Sequence, residues 1–114
     1  MVGAAGGAAA WISWPHPSPG TVRVAFGGDL DLASLRRLED EISALLTSTA
    51  DRVELDVSAV TFLDSSAIAL LVRIANHFGT ASLVGASGIV RRTIDALGLG
   101  EHLGLAAPPN EPAP

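Results

Sequence analysis

Val22, Val24 and Phe26 alternate with Thr21, Arg23 and Ala25. That period of two predicts a strand over 21–26 with one buried and one solvated face. An apolar stretch at 8–14 is a candidate strand before it. The turn-forming run Pro15-His16-Pro17-Ser18-Pro19-Gly20 lies between the two, which predicts a hairpin. Gly27-Gly28-Asp29-Leu30-Asp31 is expected to break the second strand, and Asp31 is a fitting N-cap for a helix from 32 to about 47. In that helix Leu35, Leu38, Ile42, Leu45 and Leu46 recur at helical spacing. Arg36, Arg37, Asp40 and Glu41 take the outer side.

Alternation returns at Val53-Glu54-Leu55-Asp56-Val57. A parallel strand covered on both faces would be apolar throughout, so the charged positions imply helices mainly on one face of the sheet. A helix then runs from Ser65 or Ser66 to about Phe78. Leu70, Leu71, Ile74 and Phe78 suffice for its core face, which leaves Ile68, Ala69, Val72 and Ala75 for loops or a partner. A further strand is expected at 81–85. A last helix, capped by Ser87, is expected at 88–97 with Ile89, Val90, Ile94 and Leu97 inward and Gly98 just past its end. Residues 102–105 are a candidate edge strand. The β-β-α-β-α-β-α order implies a single α/β domain over 8–105, with a mixed four- or five-stranded sheet whose N-terminal strand is antiparallel. Residues 1–7 read as frayed, and the Pro-rich 106–114 as a disordered tail.

Composition narrows the chemistry. The chain has 114 residues, a net charge of −5 and no cysteine, so disulfides, thiol catalysis and cysteine metal sites are excluded. Its seven basic residues are all arginine, with no cluster beyond two pairs, which argues against nucleic-acid binding. No apolar run is long enough to insert in a membrane. The first basic residue is Arg23, so no charged leader of a secretory signal is expected. The three histidines lie far apart and form no ligand pair.

The most informative junction is Thr61-Phe62-Leu63-Asp64-Ser65-Ser66-Ala67, where a strand gives way to a helix. Side-chain oxygens there meet the unpaired N–H groups of a first helical turn, which suits a cap or a phosphate. Asp64 or Ser65 can serve as that cap. Serine catalysis is disfavoured: neither Ser65 nor Ser66 sits in a G-x-S-x-G elbow. His77 lies at the far end of the same helix, roughly 18 Å away at 1.5 Å per residue. Asp29, Asp31 and Asp64 could converge on a Mg²⁺ if their loops share one sheet end, but capping accounts for Asp31 and Asp64 more simply. No enzyme activity, metal or cofactor is expected.

Gly28-Asp29-Leu30-Asp31 after the second strand, followed by Leu63-Asp64-Ser65-Ser66-Ala67 after the third, resembles the STAS domain, and in particular the bacterial anti-sigma factor antagonists. The resemblance spans roughly residues 8–105 and includes Leu97-Gly98-Leu99 at the end of the last helix. It implies a cytoplasmic regulator that binds an anti-sigma factor with serine kinase activity and so releases a sigma factor. It implies phosphorylation at Ser65, with Ser66 as the alternative acceptor, and reversal by a phosphatase. Asp29, Asp31, Asp64, Ser65, Ser66, Ile68, Ala69 and Val72 become the expected partner-binding residues. A second reading within the same fold is an interaction module of a stress-signalling scaffold or lipid-transport complex, without phosphorylation. The chain departs from the family at Ala67, where glycine is usual, at Asp29, where glutamate is usual, and in its proline-rich end, which replaces a helix.

Overall fold

The computed structural model of the protein describes residues 9–14, 20–86 and 88–105. Expectations for the first residues, for the proline loop at 15–19, for Ser87 and for the tail from 106 lie outside these. The element order is β1 (Trp11–Ser13), β2 (Thr21–Leu30), α1 (Leu32–Arg37), α2 (Glu39–Leu45), β3 (Arg52–Leu63), α3 (Ser65–Phe78), β4 (Thr80–Val84) and α4 (Gly88–Ala96). The strands form one four-stranded sheet in the order β1-β2-β3-β4. β1 is antiparallel to β2, and the remaining neighbours are parallel.

The alternation read from the sequence becomes a two-sided sheet. Val22 pairs in register with Val53, and Val24 with Leu55, which in turn pairs with Leu83. All five are buried. One residue along, Arg23 lies opposite Glu54 on the other face, and their side chains form an ion pair at 3.1 Å. The helices pack on the apolar face, where Leu71, Ile74, Phe78, Val90 and Ile94 complete the core.

Both central strands are longer than their patterns suggest. β2 continues through Gly27 and Gly28 to Leu30, and β3 continues to Leu63. Two irregularities account for this. Ala25 pairs with Asp56 but Gly27 with Ala59, and Gly28 pairs with Val60 but Asp29 with Phe62. At each step β3 carries one extra residue, a β-bulge. The burial period in β3 therefore slips from two to three: Val57, Val60 and Leu63 are buried, while the pairs between them are exposed. Gly27 and Gly28 do not end the strand; they make room for β1. A Cβ on Gly27 would fall 2.2 Å from the Trp11 ring, and one on Gly28 would fall 2.1 Å from the carbonyl oxygen of Ala9.

The helix expected at 32 to about 47 is two helices that meet at Leu38, whose backbone (φ −97, ψ 9) is not helical. Glu39, Asp40 and Glu41 fill the first turn of α2, where acids complement the helix dipole. α3 matches its expected span, but Ile68 and Ala75 are buried, so the surface left over is smaller than the sequence suggests. In α4 only Val90 and Ile94 face the core. Ile89 and Leu97, expected inward, are 51% and 56% exposed. Ile89 lies about 100° round the helix from Val90. The chain turns away before Leu97 can complete the stripe. Gly98 (φ 69) donates its N–H to the Asp95 carbonyl and Leu99 to that of Ile94. This is a Schellman turn, after which Leu103 fills the core instead. The edge strand expected at 102–105 reduces to one parallel bridge between Leu105 and Leu83, preceded by turns.

Two glycines separate strain from crowding. Gly28 has φ +78 and a backbone neighbour in the way of any Cβ, whereas Gly98 has φ +69 and open space. Gly98→Ala should cost about 1 kcal/mol and Gly28→Ala about 2–3 kcal/mol or more, read as shifts in urea-unfolding midpoint. Equal losses at the two positions would contradict the crowding beneath β1.

Candidate functional site

The register of β2 and β3 builds the site. Asp29 pairs with Phe62, and Leu30 with Leu63. Asp31 and Asp64 are therefore the first residues past two adjacent parallel strands, and each opens a helix. Both have extended backbones, as N-cap residues do. Asp31 Oδ1 accepts from the Ser34 N–H at 2.8 Å. That bond, seconded by the Ser34 side chain, holds the Asp31 carboxyl below its ordinary value.

Asp64 does more than cap its own helix. Its Oδ1 accepts from the Ala67 N–H at 3.1 Å, and its Oδ2 accepts from the N–H of Leu32, at the head of α1, at 3.2 Å. One carboxylate thus serves the first turns of two helices. The Asp64 N–H also donates to the Leu30 carbonyl at 3.1 Å, extending the strand pairing to the cap itself. Asp29 accepts from the hydroxyl of Thr61.

All three acids therefore lie at one end of the sheet, the convergence that the sequence left open, and each has a hydrogen-bond partner. Among the described residues no group of three or more potential ligands is placed to hold a metal ion. The cap of α3 is Asp64, which settles the choice left open between Asp64 and Ser65. Ser65 begins α3 and is exposed, while Ser66 is half-buried. His77 contacts the Ser48 carbonyl at 3.0 Å through Nε2, at the opposite end of α3 from Ser65.

The remaining expected contact residues divide. Ala69 is exposed and Val72 half-buried, but Ile68 is only 6% exposed and belongs to the core. Ala67, the departure from glycine, is fully buried, so its methyl lies in the core and not on the surface. Two apolar residues not expected from the sequence are exposed beside the acids: Leu32 at 51% and Phe62 at 47%. The bulged register puts Phe62 opposite Asp29 on the exposed side of β3. The only sequence sign of Leu32 was its place immediately after a cap. A further feature is a cleft between α1/α2 and α3, lined among others by Arg36, Ser66 and Arg73.

Such a geometry defines a small α/β domain with a serine at the head of an acid-capped helix and exposed apolar residues on the neighbouring segments. The chain belongs to the STAS domain family: the family profile described as "Mlab, STAS domain" matches residues 17–106. Its relatives include the anti-sigma-F factor antagonist RsfB of Mycobacterium tuberculosis, 28% identical over 83 residues, covering 70% of this chain and 68% of RsfB. Among solved structures, an anti-sigma factor antagonist from Mycobacterium paratuberculosis superposes with a TM-score of 0.66 at 25% identity, covering 80% of this chain and 81% of the other. The anti-sigma factor antagonist SpoIIAA in its unphosphorylated form shares the fold, with a TM-score of 0.67 at 19% identity over 80% of this chain and 84% of its own.

The caps lead to two measurable expectations. Asp64→Ala removes acceptors from two helix starts and should cost about 1–2 kcal/mol in urea unfolding. The Asp31 carboxyl is held below its ordinary value of 3.8. Its contribution to stability is therefore complete at higher pH and lost as pH falls through the lowered folded value. The stability gap between wild type and Asp31→Asn should accordingly narrow on acidification; a gap independent of pH would show that the Asp31 charge contributes nothing.

Proposed function

We propose that this chain is an anti-sigma factor antagonist. It binds an anti-sigma factor that has serine kinase activity, thereby freeing a sigma factor, and phosphorylation of Ser65 by that partner switches binding off. A phosphatase restores it. The chain acts by binding and not by catalysis, in the cytoplasm where sigma factors work. The observation that carries this reading is the exposed Ser65 at the head of α3, directly after the Asp64 cap and at the sheet end that also carries Asp29 and Asp31, with Leu32 and Phe62 exposed on the neighbouring segments.

The physics supports the switch. Unphosphorylated, Ser65 presents a neutral hydroxyl among exposed apolar side chains and three carboxylates that already have hydrogen-bond partners, so docking desolvates no further charge at its position. A phosphoserine carries about −1.5 to −2 charges at neutral pH. Placed beside Asp29, Asp31 and Asp64, it makes the same desolvation costly. The half-buried Ser66 is less accessible to a kinase than Ser65, and the inward methyl of Ala67 leaves the approach to Ser65 open.

The test uses wild-type, Ser65→Ala and Ser65→Glu chains as baits in host lysate, with bound proteins identified by mass spectrometry. Wild type and Ser65→Ala should retain a kinase-fold anti-sigma factor, and Ser65→Glu should bind it at least about tenfold more weakly, ~1.4 kcal/mol. Equal retention of one partner by all three would reduce Ser65 to a structural role. If that shared partner belonged to a transport or scaffold complex, the chain would instead be an interaction module of such a machine.

A further inference from the structure

A cleft of about 310 Å³ runs between α1/α2 and α3; it shares Leu32 and Ala69 with the surface near Ser65 and extends from there to Arg73. Its α3 wall is the stripe Ser66, Ala69, Leu70 and Arg73, at the i, i+3, i+4, i+7 spacing of one helical face. Its other wall carries Leu35, Arg36 and Ile42. The floor is apolar and the rim is basic. Arg36 and Arg73 are exposed, and neither has an ion-pair partner among the described residues, whereas Arg23 is held by Glu54. The cleft's single carboxylate, Glu39, leaves it with excess positive charge on a chain whose net charge is −5. Its Ser66 end adjoins the exposed surface round Ser65.

We propose that this cleft is a docking groove for an apolar segment of the anti-sigma factor that carries carboxylates. Its apolar side chains lie on Leu35, Ile42, Ala69 and Leu70, and its carboxylates pair with Arg36 and Arg73. The proposal rests on the antagonist reading above and deepens it by giving the partner's chemistry. Charge complementarity selects the occupant. A guanidinium presents a planar fork that matches a carboxylate through two parallel hydrogen bonds, and a pair astride an apolar floor fits a segment that is apolar below and acidic at its margins. Ser65 lies about two helical turns from Arg73, roughly 12 Å along the axis, beyond the screening length of about 8–10 Å in physiological salt, so the groove and the phosphoserine act as separate determinants of binding.

The test takes the anti-sigma factor recovered on the wild-type bait, purifies it, and measures Kd by calorimetry across a salt series. The variants are Arg36→Glu, Arg73→Glu, the double variant, and Arg92→Glu on α4 as a control. Each groove reversal should weaken binding at least about tenfold and flatten its salt dependence, while the control binds as wild type. Acid-to-arginine exchange in the partner segment that cross-links to the cleft should restore binding to the double variant, which no folding defect could mimic. If the double variant binds as wild type while Ser65→Glu does not, the groove is overturned and the antagonist reading stands. If no anti-sigma factor is recovered on the wild-type bait, both fall together. A dimer of the isolated chain that Arg36→Glu dissociates would likewise overturn the proposal, since the occupant would then be a second copy.

Discussion

The carboxylate of Asp64 joins two helix starts that would otherwise be independent. It accepts from its own helix at Ala67 and from the head of α1 at Leu32. That arrangement is possible only because β2 and β3 are parallel and end in register, Leu30 beside Leu63. Parallel pairing sends both chains out of the sheet at the same end and in the same direction. Two helices then begin side by side, and their first-turn N–H groups, unpaired within each helix, converge. The position of Ser65, the exposure of Leu32 and the cleft between the helices all derive from that meeting point.

The parts of this architecture legible in the sequence are those governed by a regular period. Val22, Val24 and Phe26, and then Val53, Leu55 and Val57, show the strand faces plainly, and α3 is set between an acidic cap and Gly79. What escapes such reading is irregular. The bulges in β3 convert a period of two to three, so Ser58-Ala59 and Thr61-Phe62 look like the end of a strand while remaining inside one. Gly27 and Gly28 look like a turn because glycine usually marks one, yet here they accommodate the Trp11 ring and the backbone of Ala9. Gly98 is legible as the end of the last helix, but helical spacing places Leu97 inward, whereas the chain turns at Gly98 and leaves Leu97 exposed.

The site was legible in its residues more than in its surroundings. The two short acidic motifs carry the caps and the serines, and they are local in sequence. Phe62, Leu32 and the arginine pair depend on which helix faces which, and that follows from the parallel register. Ile68 shows the converse: a residue that helical spacing leaves over is claimed by the core, because α3 is covered by the sheet beneath and by α1 at its side. The surface available to a partner is thus narrower and more specific than an apolar helix suggests, and it is framed by charge.

The depth at which α3 is set has a bearing on the economy of any signal written on it. Seven of its residues, from Ala67 to Phe78, are locked in the core, and its first turn is pinned by Asp64. Ser65 stands ahead of that buried stretch and is itself exposed, so a group added there lies on the surface and not in the core. Such a mark behaves like a stamp on a rigid token: the token keeps its shape, and only the reader's response to its face changes. No ordering entropy is then spent at each writing or erasure. On the antagonist reading proposed above, the pace of a phosphorylation cycle would belong to the kinase and phosphatase, with no refolding of this chain to wait for.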